Sequence, residues 1–140
     1  MRRTLANGLE LDDDKSRVDR AEVHRYLCDE SYWANGRPRD TQDRLTDEAA
    51  RVVGLYDADR QIGFCRAATD GVSFVYLADV YVLEEYRGRG LGEAMVREMV
   101  ERGDLSHLKW LLHTRDMHPL YRKLGFDVPG PKVMERLPQR

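Results

Sequence analysis

Cysteine is nearly absent from this chain: Cys28 and Cys65 are the only two in 140 residues, and no secretory leader stands ahead of them. So sparse a pair argues against a disulfide framework and against cysteine-bound zinc, and suits reduced thiols in the cytoplasm. Long hydrophobic runs are missing too. The opening MRRTLANG has no apolar signal-peptide core, and no apolar stretch approaches the ~18 residues that a membrane span needs. Neither sign of charge dominates, because 23 Lys and Arg are interspersed with 25 Asp and Glu for a formal net charge of -2. Nucleic acid is therefore not the expected partner. What is present, 41% hydrophobic residues, suffices for a core and suggests one domain spanning residues 1–140.

Local patterns give the order of elements. Ser16 or Asp19 can cap a helix that runs to about Glu30, with Val18, Ala21, Val23, Tyr26 and Leu27 at three- and four-residue intervals. Residues 31–38 mix Tyr32 and Trp33 with Asn35, Gly36 and Pro38, which predicts an ordered loop of the kind that shapes ligand pockets. A polar helix is expected over residues 40–50. Short β-like runs follow at 52–56, 61–69 and 74–83, separated by tight turns, and predict an antiparallel meander whose third, almost wholly apolar run lies mid-sheet with both faces covered. Residues 90–102 return to helical spacing, with Gly92, Met95, Val96, Met99 and Val100 on one stripe and the pairs Glu93/Arg97 and Glu98/Arg102 outside. A strand at 108–114, a short helix at 116–124 and a terminal strand region from Phe126, broken by Pro129, Gly130 and Pro131, complete the reading. A strand–helix–strand unit after a meander implies an α/β fold with a mixed, mostly antiparallel sheet flanked by helices.

The richest segment joins the third run to its helix: Val80, Tyr81, Val82, Leu83, Glu84, Glu85, Tyr86, Arg87, Gly88, Arg89, Gly90, Leu91, Gly92. Alternating glycines before a helix start let backbone N–H groups approach an anion, and the helix terminus adds partial positive charge. The segment lacks the Lys-Ser/Thr of a Walker A loop, and its Gly-x-Gly-x-Gly spacing differs from the Rossmann fingerprint. Instead it resembles the acyl-CoA loop, Arg/Gln-x-x-Gly-x-Gly/Ala, of the GNAT N-acetyltransferases. Leu120-Tyr121-Arg122-Lys123-Leu124-Gly125-Phe126 is similar to a second motif of that family, and together the two cover roughly residues 50–128.

The resemblance implies a three-layer α/β/α sandwich and an acetyl-CoA-dependent transfer to a primary amine by direct attack, with a small molecule favoured over a peptide as acceptor. It implies that the amides of Gly88, Arg89, Gly90, Leu91, Gly92 and Glu93 bind pyrophosphate, with Arg87 adding charge. The edge of Val80, Tyr81 and Val82 would bind the pantetheine arm, an N–H near Val82 would polarise the thioester carbonyl, and the Tyr121 hydroxyl would protonate the leaving thiolate. A homodimer is consistent with the family, and no metal is called for. Two positions depart from the pattern: Thr114 stands where many relatives have Asn, and Glu84 replaces the usual Pro.

Each candidate has a plainer alternative. Asp79, the one acidic or basic side chain between Phe74 and Leu83, is either a base or substrate anchor or half of a structural ion pair, with Arg66 a suitable partner. Tyr121 also falls on the apolar stripe Met117, Leu120, Tyr121, Leu124. His113 and His118 could serve as bases at neutral pH, although Pro119 makes His118 look like a helix-entry residue. Tyr32 and Trp33 are either an acceptor wall or packing for the first helix, and the charge runs at 12–14 and 37–44 read as solvated surface. The rival function is a non-catalytic acyl-CoA-binding module.

Overall fold

The computed structural model describes residues 1–139. Its centre is the expected meander: β3 (Arg51–Asp57), β4 (Arg60–Thr69) and β5 (Phe74–Val82) pair antiparallel in sequence order. The β4–β5 turn is fixed by Asp70, whose carboxylate accepts the Val72 and Ser73 amides at 2.9 and 2.8 Å, while Gly71 takes the left-handed φ of 81°. The full sheet has six strands in the order β1-β2-β3-β4-β5-β6, antiparallel except where β5 meets β6 (Lys109–Leu111) in parallel.

An N-terminal hairpin of β1 (Arg2–Thr4) and β2 (Glu10–Asp12) precedes these strands and is not among the β-like runs that the sequence pattern marks. Three-residue strands, one of them wholly exposed, carry no alternation to read. Charge helps to hold this hairpin in place, alongside the buried Leu11. Asp12, assigned to solvated surface from its sequence neighbourhood, is buried and paired with Arg17 at 3.1 Å and Arg2 at 3.4 Å.

Residues paired across strands share a face, so Phe64, Arg66, Ala78 and Tyr81 point one way and Cys65 the other. The first face is covered by α1 (Arg20–Asp29) and α2 (Arg39–Glu48). Asp19 caps α1 by accepting the Glu22 amide at 3.1 Å, and Tyr26 of α1 stacks on Tyr81 with ring centroids 3.9 Å apart. The opposite face is covered by α3 (Leu91–Glu101), which buries Leu91, Met95, Val96, Met99 and Val100, with the short α4 (His118–Arg122) beside its first turn. The arrangement is a mixed six-stranded sheet between helical layers.

Three details correct the sequence reading. Glu98 lies on the inner side of α3, 2% exposed, where Arg3, Arg51 and Arg102 surround its carboxylate. β5 is not central: it lies next to the sheet's edge, β6, which pairs with only its first three residues, and its residues alternate between buried and more exposed positions. Among the described residues from Phe126 onward there is no strand, only a 3-10 turn at Gly130–Lys132, since Pro129 and Pro131 have no N–H to give a ladder. Among the described residues no helix is long and apolar enough to cross a membrane.

Candidate active site

The site begins where two strands part. β5 and β6 pair only from Phe74/Lys109 to Tyr76/Leu111, yet β5 runs on to Val82, so its last six residues have a free edge towards β6. A β-bulge sharpens the separation: Arg66 faces Ala78 and Phe64 faces Tyr81, leaving Asp79 and Val80 together opposite Cys65. Asp79 takes a φ of 55° there, a left-handed conformation that Asp tolerates better than most residues. The Leu83 amide is used by the Ile62 carbonyl, and alternate residues of a strand present their backbone to opposite edges. Val80 and Val82 therefore turn theirs into the fork, where Arg87 Nε donates to the Val82 carbonyl at 3.0 Å.

At the open end of the fork the chain makes a 3-10 turn (Glu84–Tyr86) and enters α3 through Gly88 and Gly90, at φ 79° and 74°. Only glycine holds these angles cheaply, and a Cβ at either would meet no neighbour within 4 Å, so the loop is open above both. Among the described residues no protein acceptor takes an N–H of residues 88–93. The first turn of α3 thus presents a run of unbonded donors at the positive end of an 11-residue helix. Arg87 itself bends away from the loop, its second guanidinium contact being the Tyr26 hydroxyl at 2.8 Å. Arg89 is exposed, and the Glu93 carboxylate is engaged by Arg97 at 3.0 Å, as its i,i+4 spacing implied.

Asp79 is fully committed. Its Oδ1 accepts from Trp33 Nε1 at 2.9 Å, and its Oδ2 accepts from Arg66 Nε at 2.7 Å and Arg37 at 2.8 Å, with the carboxylate 1% exposed. Burial alone would raise its pKa, but Arg66 and Arg37 more than offset that and hold it below the ordinary carboxylate value. A carboxylate so stabilised in its charged form is a poor proton acceptor at neutral pH, and the geometry favours the ion-pair alternative, with Arg66 the partner named from sequence. Arg37, read as solvated surface, is the second partner, and also reaches Gln42 Oε1 at 2.8 Å.

Tyr32 and Trp33 stay 49% and 41% exposed, edge to face at 5.1 Å, so neither is ordinary packing. The Tyr32 hydroxyl accepts the Arg115 amide at 3.1 Å and the Arg115 guanidinium lies 3.9 Å from the Tyr32 ring centre, so that face of the ring already has its cation. The 31–38 loop thereby spans from Asp79 to the segment after β6. Within it the Ser31 hydroxyl donates to the Leu27 carbonyl and accepts the Ala34 amide.

Tyr121, on α4, is 8% exposed and packs edge-on to Phe126 at 5.7 Å. Its hydroxyl bonds no protein group among the described residues, and burial, with smaller effects from Cys65 and Tyr32, lifts its pKa well above that of a free phenol. It is therefore a neutral O–H with a proton to give. Thr114 Oγ1 accepts the Met117 amide at 3.1 Å and so serves the entry to α4. Tyr121, Thr114, His113, His118 and Tyr76 line one cleft of about 540 Å³ between β6, α4 and the C-terminal segment. Tyr76, Arg37, Arg115 and Glu135 were not singled out from the sequence; their roles come from contacts across 22 to 83 residues of chain that no local pattern encodes.

Comparison with known proteins agrees with this fold. A sequence profile described as an acetyltransferase (GNAT) domain matches residues 48–128. The crystal structure of a candidate acetyltransferase of the GNAT family from Xanthomonas campestris pv. campestris superposes with a TM-score of 0.86 at 34% identity, covering 92% of each chain. A protein of Clostridium acetobutylicum, solved with acetyl-CoA, shares the fold with a TM-score of 0.69 at 16% identity, covering 91% of this chain and 96% of its own. A candidate acetyltransferase of Gibberella zeae is 43% identical over 68 residues, which are 46% of this chain and 38% of that protein, so the chain matches well under half of this curated relative's length.

Proposed function

Because the chain belongs to the GNAT acetyltransferase family, we propose that it uses acetyl-CoA to acetylate a primary amine, with residues 1–140 acting as one cytoplasmic domain and a small molecule as acceptor. The observation that carries this reading is the fork: the free edge of Val80–Val82 leads directly to the unbonded amides of residues 88–93. That layout fits a pantetheine arm ending in a pyrophosphate, and the Clostridium acetobutylicum relative, solved with acetyl-CoA, supports the same ligand. When bound, acetyl-CoA supplies an activated acyl group.

The chain's own groups would do the rest. Gly88, Arg89, Gly90, Leu91, Gly92 and Glu93 would hold the pyrophosphate through their amides, where Gly88 and Gly90 leave room for close approach. Arg87 would act mainly by tying the fork's edge to α1 through Val82 and Tyr26. An amide at Val82 or Val80 would donate to the carbonyl oxygen as charge develops on it, an effect worth about 3 kcal/mol for one donor. Tyr121 would give its hydroxyl proton to the departing sulfur. Asp79 would anchor Trp33 and the 31–38 loop, with Tyr32 and Trp33 forming one wall for the acceptor. Cys65 is unsuited to act as a nucleophile, being wholly buried with its thiol pKa pushed up to about 12.

Calorimetric titration with acetyl-CoA, against NADH and ATP as controls, tests the reading. Micromolar binding of acetyl-CoA alone, lost in Gly90→Glu, is expected, followed by release of free CoA thiol with a panel of amines. No binding by the folded protein would overturn it, and binding without turnover on any amine would favour the non-catalytic module.

A further inference from the structure

If Asp79 is held ionised by two arginines, the proton of the acceptor ammonium must go elsewhere. The crotch of the fork contains another set of groups. Tyr76 is the last residue of β5 that pairs with β6, and its ring shares a face with Ala78 and Arg66, on the side of α1 and the 31–38 loop. His113 lies two residues past Leu111, the partner of Tyr76, so the two side chains straddle the point of divergence. The Tyr76 hydroxyl hydrogen-bonds His113 Nδ1, and His113 Nε2 is 3.0 Å from Glu135 Oε2 on the C-terminal segment. With Nε2–H donating to the carboxylate, Nδ1 carries a lone pair and the phenol O–H is the donor to it. Tyr76 and His113 line the same cleft as Tyr121.

We infer that Tyr76, His113 and Glu135 form a proton-accepting chain that deprotonates the acceptor amine. The inference rests on the acetyltransferase reading and adds the base that reading lacks. The ammonium N–H bond breaks and its proton passes to Tyr76 Oη, directly or through one water, while the phenol proton moves to His113 Nδ1. The products are a neutral amine, whose lone pair is free to attack, and an imidazolium held by Glu135. Tyr76 is the group that meets the amine, His113 stores the proton, and Glu135 is a positioning residue for the imidazole.

The charged surroundings suit the chain. Arg66 and Asp79 stand towards Tyr76 from the sheet, and Lys109, His118, Arg122 and Asp127 line the cleft, with Arg122 and Asp127 3.8 Å apart. The phenol pKa is raised by partial burial and by the Glu135 charge, so Tyr76 keeps its proton at neutral pH until Nδ1 takes it.

Two measurements test the chain. NMR of tyrosine labelled at Cζ reads the Tyr76 phenol without any acceptor: Glu135→Gln removes one of the charges that raise its pKa, so ionisation is expected at lower pH than in the wild type. An unchanged titration means that Glu135 does not face the chain in solution and overturns the proposal. The pH profile of kcat/KM reads the chemistry. His113→Gln and Tyr76→Phe are each expected to lower kcat/KM about 100-fold or more and to remove the acidic limb, with acetyl-CoA affinity unchanged. A limb that persists in both variants overturns the relay while leaving the acetyltransferase reading intact, because a mere tether for the C-terminal segment would not move it. Failure of the wild-type protein to bind acetyl-CoA overturns the reading and the relay together.

Discussion

Replacing Asp79 by Asn separates a structural anchor from a base. The carboxylate is 1% exposed, while Arg66 and Arg37 are 13% and 18% exposed. Breaking a buried ion pair by removing one partner costs about 3–5 kcal/mol, because the other charge stays desolvated. Here the arginines reach some solvent and Asn still accepts from Trp33 Nε1, so the lower end, about 3 kcal/mol, is expected. With a urea slope of about 2 kcal/mol per M, the unfolding midpoint should fall by roughly 1.5 M, and Tm by about 10 °C. The pH dependence carries a sign. Asp79 has a folded-state pKa below its unfolded value of about 3.9. Its contribution is therefore fully present above that unfolded value and is lost as pH falls through the lower folded one. The gap between wild type and Asp79→Asn should thus be wide at pH 7 and close progressively below about pH 4. Urea titrations from pH 3 to pH 8 measure it. Equal midpoints at pH 7, together with loss of the acidic limb of kcat/KM in the variant, would refute the ion-pair argument and restore Asp79 as the base.

The loop glycines should respond differently to one added methyl group. Gly90→Ala forces a side chain into φ 74° and should cost about 1–2 kcal/mol by thermal denaturation, whereas Gly92→Ala sits in the first turn of α3 at ordinary contact, 3.5 Å from Leu120, and should leave stability unchanged or raised; equal losses at both would refute the reasoning. Tyr121→Phe removes a hydroxyl with no protein partner among the described residues, so Tm should hold within about 2 °C while kcat falls about 100-fold, and unchanged kcat would remove Tyr121 as the acid. The native protein should release one fast equivalent with a thiol reagent at pH 8, from the half-buried Cys28, because Cys65 is buried with its pKa pushed up to about 12; two fast equivalents would contradict that burial.

Elements with strong periodicity were legible in the sequence. The meander announced itself by alternation and turn residues, α1 by its Asp19 cap, and α3 by an apolar stripe beginning at a glycine loop. The loop's own conformation was legible too, because only glycine suits φ 79° and 74°. What the sequence hid depends on partners distant along the chain. The β1–β2 hairpin is held by Arg2, Arg17 and Asp12 as well as by the buried Leu9 and Leu11, in strands too short to read as a pattern. Glu98 has the spacing of a surface i,i+4 residue, but Arg3 and Arg51, from β1 and β3, compensate its burial. Arg37 sits in a run of charges that looks solvated, and only the closing of the 31–38 loop over the sheet brings it to Asp79. The C-terminal segment failed for the opposite reason: its apolar residues suggest a strand, but Pro129 and Pro131 deny it the ladder.

The bulge at Asp79 links these observations. A regular strand here would keep the side chain of residue 79 in the ordinary alternation. The extra residue and the left-handed φ of 55° let both carboxylate oxygens be satisfied on the side of the sheet that carries α1 and the 31–38 loop. Such a backbone costs of order 1–3 kcal/mol and persists only where its surroundings over-determine it. Two arginines and a tryptophan do so. The same bulge adds local twist beside the point where β6 leaves β5, keeping the Val80–Val82 edge unpaired. One residue thus holds the aromatic wall against the sheet and helps to keep the fork open. A carboxylate needed as a permanent anion for that task is ill suited to cycling protons, which is why the base is sought at Tyr76 and His113, on the rim of the same fork.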